Sequence, residues 1–186
     1  MKREYIPNLL CVARILLVAP LVWLIGRGEY RVALALFVVA GATDALDGFL
    51  AKRFEWRSQL GGLLDPAADK LLLSSVFITL GITGLCPLWL VGLVVLRDVV
   101  IATGALIYRA LIGSFTWRAR PLSKANTASQ LAFVLATLTR AALGAPPAAV
   151  LQILGGLVVT TTVMSGADYV WRWSRRAWDA THGDAA

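Results

Sequence analysis

The chain has 186 residues, carries a formal net charge of +7 and is 58% hydrophobic. That length suits one domain, and the apolar share exceeds the roughly 45–50% of ordinary soluble proteins. The apolar residues gather in runs of about 20, the length a helix needs to cross ~30 Å of hydrocarbon, and most runs lack the polar face of a soluble bundle. A soluble helical bundle is thereby disfavoured. The expected class is all-α, a polytopic membrane protein with six transmembrane helices.

The first predicted helix covers Ile6–Gly26. Lys2 and Arg3 precede it as they would a secretory signal, but the run is too long for a signal core and no A-x-A site follows. Arg14 lies well inside this run. Snorkelling to the interface is one reading of it. Its depth favours the other, an inward-facing and paired arginine. The second helix covers Arg31–Leu50 and the third Leu63–Ile82. Asp44 and Asp47 are three apart near the end of the second helix, and Asp65 and Asp69 are four apart at the start of the third. Those spacings place each pair on one helical face. A short connection makes the two helices expected antiparallel neighbours, so both acidic faces meet at one depth.

The fourth helix, Pro87–Ile107, contains "VVLRDVVIATG". Arg97 reads as an anion ligand facing the site, and Asp98 as a partner for another helix. Neighbours on a helix point about 100° apart, so the two need not pair with each other. "RARPLSK" leads into the fifth helix, Ala125–Leu143. Arg118 and Arg120 suit the interface. Arg118 and Lys124 are also candidates to reach a phosphate. Ser123 or Asn126 is the candidate helix cap. The sixth helix covers Ala148–Val170, followed by Trp171, Trp173 and Trp178 as interfacial anchors. Residues 179–186, "DATHGDAA", read as a disordered tail holding a solvated His182, which leaves one domain over residues 1–178.

With six spans, Lys2, Arg3, Lys52, Arg53, Arg57, Arg109, Arg118, Arg120, Lys124, Arg172, Arg175 and Arg176 fall on the side of the N-terminus. Arg27, Arg31 and Arg140 fall on the other. Positively charged loops stay cytoplasmic, so both termini are expected in the cytoplasm, with a bacterial inner membrane as the location. The basic face suits anionic lipid headgroups, and no aromatic-basic platform for nucleic acid is present. Cys11 and Cys86 fall near opposite faces and are not expected to pair.

The four aspartates demand compensation, because clustered carboxylates repel and unpaired acids near a bilayer are costly. Lys52, Arg53 and Lys70 supply part of it. The donors are all hard oxygens, with no histidine or cysteine nearby, which suits Mg²⁺ or Mn²⁺. Four acids suffice for two ions, and paired ions suit phosphoryl chemistry. Gly48 and Gly61, framed by these acids, read as points where a phosphorylated ligand approaches the backbone. Gly41 reads as close helix packing.

"DALDGFLAKRFEWRSQLGGLLDPAAD" resembles the signature of the CDP-alcohol phosphatidyltransferase family, D-x-x-D-G-x-x-A-R, eight residues, then G-x-x-x-D-x-x-x-D. Asp44, Asp47, Gly48, Ala51, Gly61, Asp65 and Asp69 match in register. Lys52 stands where the family usually has Arg, which replaces a planar fork by a point charge; neighbouring Arg53 could substitute. The resemblance implies a six-helix membrane fold with a polar active site on the cytoplasmic side. It implies that Asp44, Asp47, Asp65 and Asp69 hold two divalent ions and that Asp69 is also the general base. Gly48, Lys52 and Gly61 would contact the CDP moiety, and a homodimer is implied too. Near the N-terminus, Asn8 and Arg14 fit a family pattern N-x-x-T-x-x-R in which Cys11 replaces Thr. Asn8, Arg14 and Arg97 then join Arg118 and Lys124 as candidates for the acceptor or lipid phosphate.

"LRDVV", "LSKANTASQL" and "LQIL" look most like the branch that joins CDP-diacylglycerol to phosphatidylglycerol, giving cardiolipin and CMP. "VMSGADYVWR" is similar to members that use glycerol 3-phosphate. Two rivals are a divalent-cation transporter and a non-catalytic lipid-binding relative. A transporter would spread its acids through the membrane's depth, whereas these collect at one end. The intact Asp69 argues against the non-catalytic relative.

Overall fold

A computed structural model describes the backbone of residues 5–53, 61–112 and 121–182, with side chains for 14–43, 69–104, 121–171 and 175. Six α-helices and no strands are found among the described residues. They are α1 (Tyr5–Gly26), α2 (Tyr30–Arg53), α3 (Gly61–Ile82), α4 (Leu88–Ile112), α5 (Pro121–Leu143) and α6 (Ala148–His182). Each contains one of the six expected apolar runs, apart from the first residue of the fourth. Pro87 immediately precedes α4 and Pro121 opens α5, positions where a missing N–H and a fixed φ favour a helix start. Residues 179–182, expected in an irregular tail, are the last residues of α6.

The chain divides into two compact units. One joins residues 1–88 to 134–151, and the other joins 89–133 to 152–186. In the first unit, α1 packs against both α2 and α3. Leu21 and Ile25 of α1, Ala33, Phe37 and Ala40 of α2, and Val76, Phe77 and Leu80 of α3 form its core. Each set recurs at helical spacing, so one stripe of each helix turns inward. The expected meeting of α2 and α3 concerns the acidic ends of both helices, whose side chains, Asp69 apart, lie outside those described. The short connection still sets their direction. At ~1.5 Å per residue α2 is ~36 Å long, more than the residues between Arg53 and Gly61 can retrace even at ~3.6 Å each. So α3 begins at the level where α2 ends, and α1 and α3 run parallel.

The far end of this unit is closed by backbone caps. Gly28 (φ 79°) and Gly84 (φ 75°) end α1 and α3 in the left-handed region. Glu29 N–H donates to the Leu24 carbonyl at 3.0 Å and Leu85 N–H to the Leu80 carbonyl at 2.9 Å, which satisfies carbonyls a helix end would leave bare. The basic residues on this side have local partners. Arg31 Nε donates to the Ala142 carbonyl at 3.2 Å, Arg140 to the Pro146 carbonyl at 2.7 Å, and Arg27 lies 4.3 Å from the centre of the Trp23 ring.

In the second unit, α5 and α6 run antiparallel in a fixed register. Ser123 and Ser165 share Arg97 as donor, the Thr162 hydroxyl donates to Asn126 Oδ1 at 2.9 Å, and Phe133 lies against Gly155. Each step along α5 is matched by an equal step back along α6. Polar side chains within the helices bond locally: the hydroxyls of Thr127 and Thr160 donate to the carbonyls four residues earlier. Such back-bonding lets a hydroxyl lie in apolar surroundings without an orphaned donor.

Many large apolar side chains point outward, among them Leu16, Trp23, Leu88, Leu96 and Ile153, with Ile82 75% and Trp171 71% exposed. An exterior this apolar marks contact with lipid or protein. Among the described residues one helix, Ala148–Trp171, is long and apolar enough to cross a membrane, and Arg14–Gly26 and Tyr30–Thr43 are shorter apolar stretches.

Cys86 is a buried free thiol in the α3–α4 turn, where burial raises its pKa from 9.0 to about 11. The neutral thiol therefore favours the folded state below pH 9.0, and this contribution fades as pH rises toward about 11. In a Cys11→Ser background, Cys86 in the native protein is expected to resist alkylation at about pH 8, where a free thiol reacts readily, and to react fully once denatured. Fast native alkylation at that pH would contradict the buried placement.

Candidate functional site

The four aspartates lie where the sequence placed them along the backbone. Asp44 and Asp47 are one turn apart on α2, and Asp65 and Asp69 one turn apart on α3. The side chains of Asn8, Asp44, Asp47, Lys52 and Asp65 and the surroundings of Gly48 and Gly61 lie outside those described, and Arg118 lies outside the described residues altogether. Among the described side chains no group of three or more carboxylate, histidine or cysteine ligands comes together. Asp69 is the member of the acidic set whose contacts can be read.

Arg14 Nη1 bonds to Asp69 Oδ1, joining α1 to α3. Arg14 is nine residues past the start of α1 and Asp69 eight past the start of α3. In parallel helices that is ~13 Å and ~12 Å along the axes, so the two side chains meet at one depth. The guanidinium is buried, with Arg14 4% exposed, whereas the Asp69 side chain is 44% exposed. The cation thus sits on the closed side of the pair and the carboxylate at its open edge. Arg14 is inward-facing and paired, and its partner is a member of the acidic set, a link the sequence did not reveal.

In the second unit Arg97 is buried on α4 and donates through Nη1 to Asp98 Oδ1 at 3.0 Å. Its Nη2 donates to Ser123 Oγ at 3.0 Å and to Ser165 Oγ. Adjacent helix positions do not oblige Arg97 and Asp98 to pair, yet here they do. A long arginine side chain can fold back over the 100° between adjacent positions, and the low dielectric rewards it. Arg97 thereby ties α4, α5 and α6 together. Ser123 and Asn126 are not helix caps either. α5 begins at Pro121, upstream of the expected start, so both lie inside the helix. The Ser123 hydroxyl takes a bond from Arg97, and Asn126 Oδ1 accepts from Thr161 and Thr162 at 3.0 and 2.9 Å. Lys124 is exposed on the first turn of α5. The buried polar seam of Asn126, Thr162 and Ser165 was missed by sequence reading. Its signal was present: Asn126 and Gln130 stand four apart on one face of α5, and Thr161 and Thr162 follow each other in α6.

The profile of the CDP-alcohol phosphatidyltransferase family matches residues 4–165. The chain belongs to that family. The profile spans parts of all six helices and includes the four aspartates, Arg14 and Arg97. Over 181 residues, 88% of the chain, it is 37% identical to "Cardiolipin synthase (CMP-forming)" of Homo sapiens. It is 36% identical to "Probable cardiolipin synthase (CMP-forming)" of Drosophila melanogaster over 89% of the chain. It is also 34% identical to "CDP-diacylglycerol--glycerol-3-phosphate 3-phosphatidyltransferase 1, chloroplastic" of Oryza sativa subsp. japonica over 88% of the chain. The matches cover 60%, 56% and 55% of those relatives, so the chain spans little more than half of their length.

The Arg97 seam leads to a stability prediction. Ser165 is buried and accepts a hydrogen bond from a charged donor. Ser165→Ala is expected to cost roughly 1–3 kcal/mol, read as a lower melting temperature in detergent. Thr160→Ala, on an exposed helix face, is expected to stay within about 0.5 kcal/mol of the parent. Equal effects of the two substitutions would show that the seam carries no special weight.

Proposed function

We propose that the chain is a membrane phosphatidyltransferase that moves the phosphatidyl group of CDP-diacylglycerol to phosphatidylglycerol, giving cardiolipin and CMP. The observation that carries this reading is the similarity, over 88% of the chain, to a human protein named cardiolipin synthase (CMP-forming). The four aspartates in the family's spacing add the chemistry. A second reading, glycerol 3-phosphate as acceptor, is favoured by the likeness to the rice phosphatidyltransferase. Family membership leaves the cation-transporter alternative without an observation in its favour.

The six helices are proposed as six spans, with both termini and the site on the cytoplasmic side of a bacterial inner membrane. The apolar outward-facing side chains and the basic loops on that side support this. A homodimer belongs to the same proposal and rests on the family resemblance.

The donor set fits divalent metal. Asp44 and Asp47 on α2 and Asp65 and Asp69 on α3 offer only hard oxygen ligands, and the described member, Asp69, is half-exposed at the open edge of its ion pair. These four residues would hold two Mg²⁺ or Mn²⁺ ions. When bound, the ions neutralise the pyrophosphate of the lipid nucleotide and stabilise departing CMP. Asp69 takes the proton from the acceptor hydroxyl as its oxygen bonds to the lipid-side phosphorus and the bond to CMP breaks. Gly48 and Gly61 let the CDP moiety approach the backbone, and Lys52 adds positive charge there. Asn8, Arg118 and Lys124 are proposed to orient the phosphate of the acceptor or lipid. Arg97 belongs to the same group, although its described bonds go to Asp98, Ser123 and Ser165. Orientation and electrostatics supply most of the acceleration in such transfers.

The deciding experiment offers purified protein CDP-diacylglycerol with phosphatidylglycerol or with glycerol 3-phosphate. Cardiolipin and CMP are expected from the first mixture. Phosphatidylglycerophosphate from the second, with no cardiolipin from the first, would reverse the acceptor assignment. Asp69→Asn is expected to lower CMP release by about 100-fold or more while the protein still folds, and turnover at the parental rate would remove the base assignment. A chelator is expected to stop the reaction and added Mg²⁺ or Mn²⁺ to restore it. Undiminished turnover in chelator would contradict the metal pair.

A further inference from the structure

Lys124 stands exposed on the first turn of α5, next in the chain to a serine turned toward buried Arg97. Helix ends fray, because their outermost backbone groups lack partners within the helix. A lysine on a fraying turn would move with it. This turn is anchored instead. The Arg97 guanidinium of α4 donates through one nitrogen, Nη2, both to Ser123 Oγ at 3.0 Å and to Ser165 Oγ on α6. Its stem lies against Gly166, where an added Cβ would be 3.7 Å from Arg97 Cγ. Asp98 accepts from Nη1 at 3.0 Å and offsets the guanidinium's charge, which lessens its repulsion of Lys124. The Thr127 hydroxyl donates to the Ser123 carbonyl at 3.2 Å, so both oxygens of this serine are engaged. Hydrogen bonds from a charged donor are stronger than neutral ones, and low-dielectric surroundings strengthen them further.

We propose that Ser123 is a positioning residue of the transfer reaction. Arg97, seated on α6, holds the first turn of α5 through the Ser123 hydroxyl and so places Lys124 for the phosphate of the acceptor. This rests on the reading of Lys124 given above. Arg97 then acts on that phosphate at second hand, a role that fits its bonds to Asp98, Ser123 and Ser165. Groups that orient a substrate are sensitive to small displacements, and a shift of ~1 Å can cost about 100-fold in rate. Alanine at position 123 releases the turn while leaving the charge of Lys124 in place. Threonine keeps the hydroxyl.

The test measures steady-state kinetics of the full chain in mixed micelles. The acceptor (phosphatidylglycerol or glycerol 3-phosphate, whichever reacts) and CDP-diacylglycerol are varied in turn. Ser123→Ala is expected to raise KM for the acceptor about 10-fold and to leave KM for CDP-diacylglycerol within about 2-fold of the parent. Ser123→Thr is expected to return the parental acceptor KM. Ser165→Ala loosens the same guanidinium from α6, and the same selective rise is expected there, which keeps the test open should Ser123→Ala not fold. In a Lys124→Gln background Ser123→Ala is expected to add no further rise, because the serine acts through the lysine. A parental acceptor KM in folded Ser123→Ala or in Ser165→Ala, beside a raised one in Lys124→Gln, would overturn the proposal and leave the reading of Lys124 standing. A parental acceptor KM in Lys124→Gln would overturn that reading and the proposal with it. Equal rises for both substrates, an undiminished effect of Ser123→Ala in the Lys124→Gln background, or no recovery in Ser123→Thr would each overturn the proposal as well.

Discussion

The ion pair between Arg14 and Asp69 is the interaction on which the first unit turns. It is a charged contact between parallel helices whose outward faces are largely apolar, and it lies at equal depth on both. Apolar packing alone holds such helices together without specifying which residues face which, because one Leu fits against another in many registers. A buried cation tolerates no such slippage. Moving α1 by one turn against α3 would leave a guanidinium without its carboxylate. The pair therefore couples the packing of α1 to the position of the acidic end of α3.

The second unit meets a similar constraint with a different device. Arg97 makes described bonds to a carboxylate and two hydroxyls, and these come from α4, α5 and α6. One turn further along, Asn126 and Thr162 continue the polar seam, and beyond them Phe133 packs on Gly155. Polar registration at one end and close apolar contact further along define how α5 lies on α6. Buried polar groups of this kind specify geometry more than they add stability.

Much of this was legible in the sequence. The largely apolar runs located all six helices, because a helix satisfies its own backbone hydrogen bonds in apolar surroundings. Helix ends were less legible. α5 starts at Pro121, ahead of the apolar run, and α6 continues through residues 179–182, because hydropathy marks where a helix is apolar and not where its hydrogen bonds stop. The acidic motif was legible because its spacing is local. What could not be read was which side chains meet across helices. Arg14 was expected to have a partner, but nothing local to α1 points to Asp69, 55 positions away. The Arg97–Asp98 pair was left open for the opposite reason: ideal helix angles describe where Cβ atoms point, and a long flexible side chain is not bound by them.

The most direct measurement of the central claim is a double-mutant cycle on Arg14 and Asp69, read as stability in detergent without metal. The account predicts that Arg14→Gln and Asp69→Asn together cost less than the sum of their separate costs, with a coupling of about 1–3 kcal/mol. Strictly additive costs, with coupling near zero, would show that the two charges do not depend on each other and would contradict the account.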